Sequence, residues 1–266
     1  MYNPYNSRNK LLSLKDIQTI LITYKCSFNI KNLKLFQNAM IHSSYVRREE
    51  YTSPTGETIK LIDKPDDCID LFDESYERLE HLGDSILGAI VSTYLIKRFP
   101  KEQEGFLTDL KKEIVCNEML GSLSIKIGLD KFYIISKHNE DACNGRTNIK
   151  KLGDILEAFI GALWTDSGNE FKVVSSFIIN LIETYIDIPK ILMNNRNFKE
   201  QLQKYCQATF HYTPTYKMIS STQNSYTMAA MSPLSEIGQG TAQTKKQAEQ
   251  LAAQDALFKF RNSSNK

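Results

Sequence analysis

Along most of the chain, apolar residues return every three to four positions, the rhythm of a helix with one buried face. Residues 13–26, "SLKDIQTILITYKC", carry it with Ser13 placed to cap the start. "NLKLFQNAMIHSSY" repeats it through Leu33, Phe36, Ala39 and Met40, and predicts a second helix. From Val46 to Ser75 the rhythm fails among prolines, charges and a Thr-Gly turn signal, which predicts an irregular insertion. It resumes from Tyr76 to Phe99 and stops at Pro100, which cannot continue a helix. "LTDLKKEIVCNEMLGSLSIKIGL" predicts two shorter helices interrupted at Gly121 and Gly128, "KLGDILEAFIGALWTDSG" a helix ending at Gly168, and "EFKVVSSFIINLIETYI" one more.

After "MNNRN" the texture changes. "NFKEQLQKYCQATF" is helical. "TPTYKMISS", "SYTMAAMSP" and "SEIGQGTAQ" are β-prone segments parted by turn residues, and "TKKQAEQLAAQDALFKF" closes the chain as a helix started by the Thr244/Gln247 capping pair. The expected fold class is an all-α domain followed by a small α+β domain in α-β-β-β-α order. The expected boundaries are a flexible tail over 1–13, a first domain over 14–190 with its insertion at about 46–75, and a second over 195–262.

The chain has 266 residues, 41% of them hydrophobic and 24% charged, which supports a sizeable core. Net charge is only +2, but it is unevenly spread. From Asn195 onward nine Lys/Arg face four Asp/Glu, which leaves the preceding residues at −3 and makes the second domain the basic one. The five cysteines are scattered without a CxxC pair, so they suggest no zinc site and suit a reducing, intracellular setting, cytoplasmic or nuclear. No stretch reaches the roughly 18 apolar residues of a membrane span, and no membrane partner is expected.

The candidate chemistry lies in two helical runs. In "YERLEHLGDSIL", Glu77, Glu80 and Asp84 stand at i, i+3 and i+7, one stripe of a helix. Taken alone, such a stripe is more often a solvated face. "GDILEAFIGALW" adds Asp154 and Glu157 at i and i+3 amid apolar residues. Carboxylates on packed helices are costly unless they bind a cation, and neutralising side chains here are few. If the two helices meet, their acids form an all-oxygen set suited to a hard divalent cation, Mg²⁺ by default.

These runs resemble the ribonuclease III family. "ERLEHLGDSIL" is similar to its signature helix and "KKLGDILEAFIGALWTDSG" to its second acidic motif. "AMIHSSY" and "GFLTDLKKEIVCNEML" resemble two further elements, all four in the family's order. The resemblance implies metal ligation by Glu80, Asp84, Asp154 and Glu157, with Asp84 and Glu157 catalytic and Mn²⁺ able to replace Mg²⁺. It implies supporting roles for Glu77, Lys150 and Asn117, and a structural one for His42. It also implies a homodimer that hydrolyses double-stranded RNA during processing or degradation, leaving 5′-phosphate and 3′-hydroxyl ends with short 3′ overhangs. His81 stands where the family commonly has an aromatic residue at the dimer junction. Gly153 replaces an alanine, Ser43 an arginine, and the insertion is absent from compact members.

"GTAQTKKQAEQLAAQDAL" resembles the second half of a double-stranded RNA-binding domain, with Ala242 at a usual glycine. By that resemblance Gln203 and Lys204, the latter replacing a usual glutamate, face the minor groove, while Lys245 and Lys246 meet phosphates. The family's G-P-x-H loop is missing; Gln223 and Asn224 stand in its place. The alternative from a different class is a protein that binds duplex RNA without cutting it, acting at the ribosome or by sequestration.

Overall fold

The computed structural model describes residues 1–49, 51, 56, 58–194, 198–222 and 224–263. Its helices are α1 (Leu14–Thr23), α2 (Leu33–Asn38), α3 (Glu77–Arg98), α4 (Glu104–Ile114), α5 (Asn117–Lys126), α6 (Lys137–Cys143), α7 (Ile149–Asp166), α8 (Phe171–Tyr185), α9 (Ile188–Asn194), α10 (Phe198–Phe210) and α11 (Lys245–Ser263). The strands are β1 (Thr215–Thr222), β2 (Ser225–Met231) and β3 (Glu236–Ala242). The chain divides into two compact units, Met1–Asp187 and Ile188–Lys266. No helix among the described residues is long and apolar enough to cross a membrane.

In the first unit α7 is the central helix. Leu152, Ile155, Leu156, Ala158, Phe159, Ile160, Ala162 and Leu163 are all buried, and a helix apolar on every side belongs inside a core. Helices α2, α3, α5 and α8 pack around it. Ser13 caps α1 by accepting from the Asp16 N–H while the Asp16 carboxylate takes the Ser13 N–H, both halves of a capping box. Asn148 caps α7 and accepts from the N–H groups of Lys150 and Lys151.

Several expectations need correction. The second helix ends at Asn38 instead of running on through Met40. There the chain turns extended, because the His42 N–H bonds the Ile134 carbonyl and the Ile134 N–H bonds the Met40 carbonyl. Gly121 does not interrupt a helix. It lies inside α5, where a Cβ would stand 2.0 Å from the Ile149 carbonyl oxygen, so glycine is there for close approach. The break falls at Val115–Cys116. Helices α6 and α9 had no counterpart in the sequence reading.

The first thirteen residues, expected as a flexible tail, form a packed strap. Tyr5 and Leu12 are buried, as are Asn6 and Asn9. Asn9 pairs with the backbone of Ile135 in both directions, through its Nδ2 and its Oδ1, and Asn6 Nδ2 donates to the same Ile135 carbonyl and to Glu140. The Arg146 guanidinium ties Glu140, the Tyr133 carbonyl and Asn9 together. The insertion packs Val46, Leu61, Ile62, Ile69 and Phe72 over Tyr5, Ile41, Tyr45, Leu71 and Ile134. Isolated bridges pair Tyr2 with Leu61 and Val46 with Phe72, and Tyr2 stacks on Tyr51.

In the second unit the sheet runs β1-β2-β3, antiparallel throughout, with a register shift between Met218 and Ser220. Helix α11 lies against β2 and β3, and α10 against α11. Leu202 and Cys206 from α10, Ala230 from β2 and Ala252, Ala253, Ala256 and Leu257 from α11 make the core.

Candidate metal centre and nucleic-acid interface

Helices α3 and α7 cross at two glycines. A Cβ on Gly83 would stand 1.8 Å from the Glu157 carbonyl oxygen, and one on Gly161 would stand 2.2 Å from that of Leu79. No other residue permits this contact between backbones. The crossing brings the two acidic runs within reach: one oxygen each of Glu80, Asp154 and Glu157 lies within 4.8 Å of the others. Asp84, one turn along α3, is exposed and is the foremost charge acting on Glu157. Glu77 begins α3, is exposed, and stands outside the gathered trio.

The electrostatics of the cluster are lopsided. Burial, then the charges of Asp84, Glu80 and Asp154, push the Glu157 carboxyl up to about 8. Burial, then Asp154, also raises Glu80, with Lys151 opposing. Asp154 is only 6% exposed. Its Oδ2 receives two donors, the Tyr76 hydroxyl at 3.2 Å and the Lys151 ammonium at 2.8 Å. That bond to Asp154 raises the Lys151 pKa. Tyr76 is itself buried and leans on Tyr133 and His42, with ring centroids 6.3 and 6.1 Å away. His42 Nδ1 accepts from the Ser44 N–H and so caps a short turn; burial, then Lys151, lowers its pKa.

A set of carboxylate oxygens this close, with burial and mutual repulsion raising Glu157, suits a hard divalent cation. Lys150, the lysine picked out from the sequence, is exposed at the first turn of α7, and Lys151 beside it makes the contact. Lys151 is one of the few neutralising side chains the sequence offers beside the acids, but nothing in the sequence assigns it or Tyr76 a place in the site. Asn117 opens α5 and is exposed; its carbonyl lies 3.1 Å from where Gly153 would carry a Cβ. His81 is exposed on α3.

On the second unit Gln203 and Lys204 lie on the outer face of α10, Lys204 paired with Glu200 at 2.8 Å. Lys245 and Lys246 are exposed at the first turn of α11, where free N–H groups and the helix dipole also favour an anion. Thr244 caps that turn through the Gln247 N–H. Asn224 is exposed; Gln223 lies outside the described residues, as does the 195–197 portion of the connection.

Two family models match the chain: the ribonuclease III domain over residues 77–168 and the double-stranded RNA binding motif over residues 198–259. The chain is 34% identical to ribonuclease 3 of Listeria monocytogenes, across 88% of this chain and 93% of the relative. It is 30% identical to ribonuclease 3 of Rickettsia conorii, across 89% of this chain and 95% of the relative. A probable ribonuclease 3 of Acanthamoeba polyphaga mimivirus is 29% identical over 97% of this chain, which spans 47% of that relative's length.

Proposed function

The chain belongs to the ribonuclease III family of double-stranded RNA endoribonucleases, and on that premise we propose how its residues divide the work. Glu80, Asp84, Asp154 and Glu157 hold Mg²⁺, with Mn²⁺ able to replace it, and Asp84 and Glu157 are the acids on which cleavage depends. The observation that carries this is the convergence of the trio across the glycine crossing, with Asp84 bearing on Glu157 from the open side. A bound divalent cation supplies positive charge beside the phosphate and makes water a better nucleophile. The protein holds its acids in place: Tyr76 fixes Asp154, and the helix crossing fixes Glu157 against Glu80.

Hydrolysis forms a bond from a water oxygen to phosphorus and breaks the bond to the 3′-oxygen. The ends are therefore 5′-phosphate and 3′-hydroxyl, and two such sites in a homodimer cut opposite strands with a short 3′ overhang. His81, exposed on α3, is the residue we assign to the dimer contact. Gln203 and Lys204 reach the minor groove and Lys245 and Lys246 the phosphates, reading shape more than sequence. Five free thiols suit a reducing intracellular compartment.

The test is a labelled duplex incubated with Mg²⁺ and Asp84→Asn or Glu157→Gln. Both variants should bind duplex like the parent and fail to cut it. Normal cutting by either removes the assignment, and a parent that binds without cutting leaves a duplex-binding protein instead of a nuclease.

A further inference from the structure

We infer that Lys151 is a tethered counter-ion of the metal centre: its ammonium holds Asp154 while the centre is metal-free and is displaced when a divalent cation binds. The inference rests on the reading of Glu80, Asp154 and Glu157 as metal ligands. Two donors meet on one oxygen of Asp154, and they differ in what holds them. Tyr76 is 1% exposed and locked among aromatic rings. The Lys151 side chain is 43% exposed, while that of Asp154 is 9% exposed. The ammonium can therefore swing into solvent without opening a cavity, whereas neither the tyrosine nor the carboxylate can move.

Charge points the same way. Besides Asp154, Lys151 lies in the field of Glu80 and Glu77, so it neutralises that end of the cluster. At Glu157 the charges that act are all carboxylates, those of Asp84, Glu80 and Asp154. An ion shared by the trio takes over the neutralisation that Lys151 provides, and it repels the ammonium at close range. A lysine on a flexible stem is suited to this exchange, since its charge is a point and its donors rotate.

The measurement is Mn²⁺ binding to the full chain without RNA, followed by electron paramagnetic resonance, together with thermal melting in chelator. Lys151→Met keeps the length and removes the charge; Lys151→Arg keeps the charge. Lys151→Met should bind Mn²⁺ tighter by roughly 3- to 10-fold, the scale of one partly exposed ion pair. It should also melt lower than the parent in chelator and recover when Mn²⁺ is added. Lys151→Arg should match the parent. Mn²⁺ affinity that is unchanged or weaker in Lys151→Met overturns the inference, because a merely structural lysine would give that result. A parent that binds no Mn²⁺, or a Glu157→Gln variant that binds it undiminished, instead removes the metal-site reading on which the inference stands.

Discussion

Glu157 contributes a pH dependence of its own to the metal-free protein. An unfolded glutamate ionises near 4.3, whereas this one is held up to about 8 by burial and three carboxylate neighbours. Its folded value exceeds its unfolded value. Its contribution to stability is therefore complete below about pH 4 and lost progressively as pH rises toward 8. In chelator the melting temperature of the parent should fall across that window relative to Glu157→Gln, whose amide cannot ionise. Parallel melting curves at pH 5 and pH 8 would refute the assignment. Protons and metal compete for the same carboxylate, so the Mg²⁺ concentration for half-maximal cleavage should drop between pH 6 and 8, measurable as initial rates at saturating duplex. The spacing of Glu77, Glu80 and Asp84 by itself fits a solvated face at least as well; the second run, Asp154 and Glu157, and the resemblance to the family's two acidic motifs are what singled out the acids. The choice between Lys150 and Lys151 was not legible in the sequence. They stand four and three residues before Asp154, so both lie near its face of α7, and only the placement of α3 decides which of them meets the cluster.

At the scale of elements, the crossing of α3 and α7 is the part least tolerant of change. Gly83→Ala or Gly161→Ala drives a methyl into a carbonyl. The cost should reach or exceed the upper end of the roughly 1–3 kcal/mol typical of overpacking. Denaturant melts measure it, and the residual folded protein should also lose Mn²⁺ affinity as the acids part. Boundaries that follow from local chemistry, such as the Ser13 cap and the stop at Pro100, could be read in advance. Those imposed from a distance could not. Helix α2 ends early because Ile134, far along the chain, pairs with Met40 and His42, and no periodicity within residues 33–45 records that partner. In the second unit the sequence reading was close, since α11 carries its own cap and its own small-residue face. Replacing Lys245 and Lys246 together with alanine should weaken duplex binding at every sequence alike. It should also reduce the slope of log affinity against log salt by about 2, which a titration series from low to high salt would register.

Across the whole molecule the two units divide grip from chemistry, the basic unit supplying duplex affinity and the acidic one the cut. The strap at residues 1–13 belongs to the chemistry side. It was misread because its polar composition resembles that of a loose end, yet its asparagines serve as buried donors and acceptors for Ile135. Removing residues 1–12 should destabilise the nuclease unit by several kcal/mol, Leu12 alone contributing roughly 1.5–3 kcal/mol. Thermal melting of the truncated chain decides it; an unchanged melting temperature would mean the strap is ornamental. The same contacts impose a schedule on synthesis. Asn9 and Ile135 are 126 residues apart, and at about 5–20 residues per second the ribosome needs on the order of 6–25 s to deliver the second after the first. Throughout that interval residues 1–13 are without their partner. Asp154 and Glu157 follow Ile135 closely along the chain, so the strap gains its partner only shortly before the second acidic run is made.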